Sequence, residues 1–283
     1  MRFWKYIFGV LLLVLSLLVI AIFQTPDENL HIIACNVGQG DAILVTYKNT
    51  QILTDGGPDK SVLSCLGKYM PFWDRTIELI ILSHPDADHS TGVTDVVRNY
   101  KVRQMVDTTL DPGTSVYEVL KKEVGGRGIP VIKPVAGMKL GVGLIQLDIV
   151  SPSEELLSQM SNVKSGGTNI FSIVYVLTYG QFKAFMPGDA PPEVLDNLAS
   201  FGTVGAVNYI KIPHHGSVNG LTQALLEKIV PKVGVISVGK NPWGFPKPEI
   251  IDMLNKYGTK ILRTDEMGDI EVITNGEGYW IKK

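Results

Sequence analysis

The stretch 83-SHPDADHSTG-92 follows directly on the apolar run 77-IELIIL-82 and crowds His84, Asp86, Asp88 and His89 into six residues. The run before it has the length and residue types of a buried strand. Imidazole nitrogens and carboxylate oxygens are ligands of Zn²⁺, Mn²⁺ or Fe²⁺ in sites with open coordination positions. A turn at the strand end lets neighbouring residues reach two adjacent ions. The plainer alternative is a polar loop in which Asp88 caps a helix and the histidines face water. Four donors in six residues behind a buried strand weigh against it.

Three other strand ends carry matching groups. Asp55 closes 52-ILTDGG-57, Asp189 closes 182-FKAFMPGDA-190, and His214 and His215 sit in 211-KIPHHGS-217. A lone Gly-Asp is usually only a turn. The only histidine outside these stretches is His31, so imidazoles are concentrated at strand ends.

Outward from these motifs the chain alternates strands and helices. The runs 31–37, 41–47 and 51–55 read as a meander with glycine-bearing or polar turns. Helices are expected at about 60–70, from a cap at Ser90, across 112–128, near 191–199, at 221–229 and around 247–257. Strands are expected at 77–83, 142–150, 172–180, 182–186, 207–212, 233–239, 260–264, 270–274 and 278–282. Two similar halves of strands and helices imply an α/β sandwich of four αββα layers, two sheets face to face with helices outside.

The first 23 residues differ from the rest. After Arg2 and Lys5 comes 7-IFGVLLLVLSLLVIAIF-23, seventeen residues without a charge, about 25 Å as a helix and just short of a bilayer core. Trp4 and Tyr6 can extend it as interface anchors. The basic residues before it place the N-terminus in the cytoplasm and the body outside. The exit 21-AIFQTPD-27 lacks a small-x-small cleavage site, so an uncleaved anchor over 1–26 and one folded domain over 27–283 are expected, with secretion after cleavage as the alternative.

Without Arg2 and Lys5 the body carries 24 basic against 28 acidic residues, which excludes gripping nucleic acid by bulk charge. Cys35 and Cys65 are expected to be two separate small buried residues rather than a disulfide.

The ordered set 52-ILTDGG-57, 83-SHPDADHSTG-92, 188-GD-189 and 211-KIPHHGS-217 resembles the metallo-β-lactamase superfamily. Asp86, where most of that superfamily has histidine, and 35-CNVGQGDAILV-45 make it similar to the hydrolase domain of ComEC-type DNA-uptake proteins. The resemblance covers about residues 31–275 and implies two divalent ions, zinc or manganese. His84 and Asp86 would hold one, Asp88 and His89 the other, and Asp189 would bridge them. One of His214 and His215 would complete the set of ligands around the second ion, the other facing substrate or lying behind the ligands, and Asp55 would orient ligands or the bridging water. Asp88, Asp55 and His215 are thus the expected catalytic groups. Lys211 and Ser217 would meet a phosphate, or else be a surface lysine and a helix-start serine.

Two departures from the family pattern matter. No histidine lies between His89 and His214, so Asn169 in 165-SGGTNIFS-172 stands where a third-motif ligand would fall. The first ion is then weakly held, which favours manganese or loose occupancy over tight zinc. In 237-SVGKNPWGFPKPEI-250, Phe245 stands where the subfamily has histidine. The implied function is a membrane-anchored, extracytoplasmic phosphodiesterase or DNA nuclease, associated with DNA and a DNA-uptake channel. The competing readings are a hydrolase of phosphorylated cell-envelope components, such as phosphocholine esters, and a degenerate non-catalytic binding module.

Overall fold

The computed structural model of the protein describes residues 2–23, 25–160 and 167–282. Gln24, which opens the expected linker, and Ser165 and Gly166 of the Asn169 segment lie outside the described residues. The first half runs α1 (Arg2–Phe23), β1 (Leu30–Ala34), β2 (Ile43–Tyr47), β3 (Thr50–Thr54), α2 (Ser61–Tyr69), β4 (Thr76–Ile77) and β5 (Leu79–Ile81). It continues with α3 (Ala87–Asn99), β6 (Lys101–Val102), β7 (Met105–Val106), α4 (Ser115–Gly126) and β8 (Val131–Ile132). Next come β9 (Lys139–Val142), β10 (Ile145–Ser151), α5 (Glu154–Ser158), β11 (Val174–Tyr179), β12 (Phe182–Met186), α6 (Pro192–Ser200) and β13 (Tyr209–Lys211). The chain closes with α7 (Gln223–Ile229), β14 (Val233–Ile236), α8 (Pro248–Lys256), β15 (Lys260–Arg263), α9 (Thr264–Met267), β16 (Ile270–Thr274) and β17 (Tyr279–Ile281).

Among the described residues, one eight-stranded sheet has the order β17-β16-β1-β2-β3-β5-β7-β8 and one seven-stranded sheet the order β15-β14-β13-β12-β11-β10-β9. The period-2 alternation of β1 shows how they stack. Leu30, Ile32 and Ala34 point between the sheets, toward Ile145, Leu147 and Ile149 of β10. Ile33 points the other way, under α2 and α3 with Leu66, Val93 and Val97. Outside the second sheet, Phe185 and Ile210 are covered by Leu195, Leu225 and Leu254 of α6, α7 and α8. The result is the expected sandwich of two sheets between two helix layers. Each fully buried Leu or Ile stabilises by roughly 1.5–3 kcal/mol. These layers hold the sheets together and leave the strand ends free to carry charge.

Strand direction gathers those ends. β3 and β5 are parallel, with Thr54 opposite Ile81, and β12 and β13 are parallel, with Phe185 opposite Ile210. Their carboxyl ends therefore meet on shared edges, where ligands of α/β sheets bind.

Several local expectations change. The strand at 77–83 breaks at Glu78, whose carboxylate accepts the Gln51 amide at 2.8 Å. β4 then pairs with β6 rather than with the large sheet. The stretch 142–150 is the end of a hairpin, β9 turning into β10. The helix expected to be capped by Ser90 starts at Ala87, with Asp86 in the cap position, and Ser90 donates to the Pro85 carbonyl at 3.1 Å. Cys35 and Cys65 form a disulfide with Cα atoms 5.8 Å apart, because α2 packs across the end of β1. Thirty residues of separation conceal that contact in sequence.

The apolar N-terminal segment forms α1, and its side chains from Phe3 to Leu17 are mostly exposed. Among the described residues no helix is long and apolar enough to cross a membrane.

Candidate metal centre

Asp55 follows β3 with φ 60°, a left-handed conformation stored at a strand end. That turn aims its carboxylate at the end of β5. One oxygen accepts the Ser83 amide at 2.7 Å, and the other accepts the Ser83 hydroxyl at 2.7 Å and the His89 Nδ1–H at 2.8 Å. Glycine makes the approach possible. A Cβ at Gly92 would lie 1.9 Å from the Gly56 carbonyl oxygen, where the backbone of α3 touches the loop after Asp55 and the Gly56 amide donates to the His89 carbonyl at 2.8 Å.

With Nδ1 committed to Asp55, the buried His89 Nε2 has no hydrogen-bond partner among the described residues. It lies 3.4 Å from Asp189 Oδ2 and 3.9 Å from Asp88 Oδ2. His215 repeats the arrangement from the second sheet. Its Nδ1 donates to the Ser237 carbonyl at 2.9 Å, and a carbonyl only accepts, so in the neutral ring Nε2 carries the lone pair. That atom is likewise buried and unpartnered, 3.3 Å from Asp88 Oδ2 and 3.5 Å from Asp189 Oδ2. Four tetrahedral ligands about 2.0–2.1 Å from an ion lie about 3.3–3.4 Å from one another. The distances from His215 to Asp88 and Asp189 and from His89 to Asp189 fit that spacing, and the 3.9 Å from His89 to Asp88 is wider.

The neighbouring group is looser. The Ser83 hydroxyl donates to Asp55 and can accept the His84 Nδ1–H at 3.0 Å, which leaves His84 Nε2 toward Asp86 Oδ2 at 3.7 Å. Asp86 is 40% exposed at its side chain, and its other oxygen accepts the Thr168 hydroxyl at 2.5 Å. His84, His89 and Asp189 form one set of donors close enough to share an ion, and Asp88, His89 and His215 another. Asn169 opens a short 3₁₀ turn, Asn169–Phe171, on the wall beside them. The structure thus gathers His84, Asp86, Asp88, His89, Asp189, His215 and Asp55. It leaves the His214 ring outside, 6.0 Å from Phe245.

Lys211 is neither a surface residue nor a phosphate contact. It is buried, and its ammonium binds Asp41, Asp189 Oδ1 at 3.0 Å and the Gly188 carbonyl at 3.1 Å. Asp189 Oδ1 also accepts the His214 amide at 3.2 Å, so Oδ2 alone faces the two imidazoles. Asp41 went unassigned in the sequence, although a carboxylate opening the apolar run 41-DAILV-45 is a signal in itself. Its backbone amide donates to the Asp88 carbonyl at 3.2 Å. Ser217 is buried, and its hydroxyl accepts the Asn219 amide at 3.1 Å.

Burial alone would raise the carboxyls of Asp189 and Asp88. Instead Lys211, His215 and His89 hold Asp189 well below the carboxylate range, and His89 and His215 do the same for Asp88. Burial would lower His89, yet Asp189, Asp55 and Asp88 keep it well above the ordinary imidazole value. Burial and the neighbouring His89 push His84 down.

The cluster opens into a cleft of about 730 Å³ whose walls include Gln39, Asp86, Asp88, His215, Trp243 and Phe245.

No family profile matches the chain. It is 26% identical over 270 residues to Recombination protein 2 of Haemophilus influenzae, covering 94% of this chain and 31% of that protein. It is 22% identical over 255 residues to ComE operon protein 3 of Bacillus subtilis, covering 83% of this chain and 32% of that protein. The chain therefore spans about a third of the length of these relatives. Among solved structures, the metallo-β-lactamase-fold protein YhfI of Bacillus subtilis superposes with a TM-score of 0.61 at 11% identity, over 87% of this chain and all of that one. The diiron β-hydroxylase CmlA of Streptomyces venezuelae gives 0.57 at 13% identity, over 88% of this chain and 54% of that one. A diphosphatase of the PhnP family gives 0.51 at 14% identity, over 86% and 98%. The fold is that of the metallo-β-lactamases.

Proposed function

We propose that the protein is a membrane-anchored, extracytoplasmic, metal-dependent phosphodiesterase that acts on DNA. The observation that carries the reading is the pair of buried, unpartnered Nε2 atoms of His89 and His215, each fixed through Nδ1 and each facing Asp88 and Asp189. Leaving such buried groups unpartnered among the described residues, at the floor of a cleft and facing two carboxylates, is unfavourable unless a cation takes them.

In this reading Asp88, His89 and His215 would hold one ion and His84 and Asp86 the other, with the Asp189 carboxylate available to both sets. Two bound ions would acidify a shared water and neutralise charge building on the phosphoryl oxygens. The protein's part is positioning. Asp55 and the Ser237 carbonyl fix the imidazoles, Lys211 turns one Asp189 oxygen away, and Thr168 steers Asp86. Phe245 cannot exchange a proton, so His214 is the imidazole on the cleft wall that protonates the leaving oxygen.

Similarity to Recombination protein 2 supports DNA as substrate, and the resemblance of the motifs to ComEC-type DNA-uptake proteins supports work beside a DNA-uptake channel. The Cys35–Cys65 disulfide supports an oxidising, extracytoplasmic location for the body. Arg2 and Lys5 ahead of an apolar helix support α1 as its anchor.

The test is cleavage of end-labelled single- and double-stranded DNA by the full chain in detergent with Mn²⁺, Mg²⁺ or Zn²⁺. Metal-dependent cleavage that Asp88→Asn abolishes is expected. Cleavage undiminished in that variant, or metal binding without cleavage of either DNA, would overturn the reading and favour envelope phosphoesters.

A further inference from the structure

We infer that Trp243 and Phe245 form a shelf on which a nucleobase of a single strand stacks while its phosphate lies over the metal cluster. This rests on the phosphodiesterase reading and adds the kind of DNA the cleft takes. Trp243 is 57% exposed although it lines the cleft beside Asp86, Asp88 and His215. Its ring stacks on Phe245 at 5.9 Å and 22°, so a flat apolar surface two rings deep faces solvent within the site. Phe245 in turn meets the edge of His214 at 6.0 Å, which ties the shelf to the proton-donating wall.

The loop that carries the shelf is held rather than loose. Asn241 donates to the Gly239 and Phe245 carbonyls at 2.8 and 3.0 Å and accepts the Phe245 amide at 2.9 Å. Lys247 donates to the Trp243 carbonyl at 2.6 Å. Four bonds fix this loop, one of them at the Trp243 main chain, and the loop so held presents an indole that stays more than half exposed.

The occupant follows from the chemistry around it. Every base has a π-face, and stacking on an aromatic side chain contributes about 1–3 kcal/mol per base without reading sequence. Lys240 on the same wall supplies the positive charge a backbone phosphate needs. A base already in a duplex has both faces covered, so the shelf selects single strands or frayed ends.

The experiment measures binding of fluorescein-labelled dT12, and of an abasic oligomer with the same sugar-phosphate backbone, to the full chain in Ca²⁺, alongside DNA cleavage in Mn²⁺. For Trp243→Ala we expect about tenfold weaker binding of dT12, abasic binding within twofold of wild type, and an unchanged melting temperature. Trp243→Phe should restore most of the loss. The shelf is overturned if Trp243→Ala binds dT12 as wild type does, or if it loses both oligomers equally. Wild-type protein that cleaves DNA but binds dT12 and the abasic oligomer alike would also sink the shelf and leave the nuclease reading standing. Absence of any cleavage by wild type would sink the nuclease reading and the shelf with it.

Discussion

The two halves of the metal cluster are built to different standards. Around His89 and His215, each imidazole is held by an acceptor behind it, Asp55 in one case and the Ser237 carbonyl in the other, and the facing Asp189 is braced by Lys211. Around His84 the support is a serine hydroxyl, and the partner carboxylate, Asp86, reaches into the open cleft with one threonine to steer it. A donor that is already oriented binds its ion without first losing rotamer freedom. The lesson is that equal counts of ligands do not make equal sites. The braced half is preformed, and the open half has a carboxylate with one threonine to orient it.

The largest expected effect on both halves together comes from Asp189, the carboxylate that His84, His89 and His215 all surround. Asp189→Asn is expected to lower hydrolysis about 10³-fold, beyond the roughly 10–100-fold that loss of an outer partner produces, and to lose bound metal by elemental analysis. A variant that keeps both ions would break the comparison at its centre. Asp55→Asn attacks only the bracing. It should weaken the tighter ion about 10–100-fold in a calorimetric titration while secondary structure is retained. Gly92→Ala forces a methyl into the Gly56 carbonyl and pushes α3 from the Asp55 loop. It should destabilise folding by about 1–3 kcal/mol, read as a lower urea midpoint at unchanged slope. Thr168→Val touches the open half alone. It removes one hydrogen bond from a carboxylate that remains partly in water, so the looser ion should weaken only about three- to tenfold. If Thr168→Val and Asp55→Asn weaken the same ion equally, the two halves are not distinct.

Much of this was legible in the sequence, and the failures share a cause. The donors were readable because ligand types crowd the ends of apolar runs, and parallel strands bring such ends together. The αββα layering was readable from alternation and helix spacing. What escaped depends on pairs far apart in the chain. Asp41 and Lys211 are 170 residues apart, and Lys211 is buried between Asp41 and Asp189, so in sequence it read as a phosphate contact or a surface lysine. The Cys35–Cys65 bond needed the packing of α2 over β1. Choosing between His214 and His215 needed the backbone: both have left-handed φ, of 51° and 52°, and the turn they make sends His215 inward and His214 to the cleft wall. The start of α3 was misplaced because Asp86 takes the cap position by its backbone, without the side-chain bond that marks a cap in sequence.

The most direct test of two unequal ion sites is a calorimetric titration of the full chain with Mn²⁺ and Zn²⁺, read with metal content by elemental analysis. The account predicts two ions per chain, bound at least about tenfold apart in affinity, with Asp86→Ala removing only the weaker event and Asp55→Asn weakening the tighter. A single event, two indistinguishable ones, or less than about 0.2 ions per chain would contradict it.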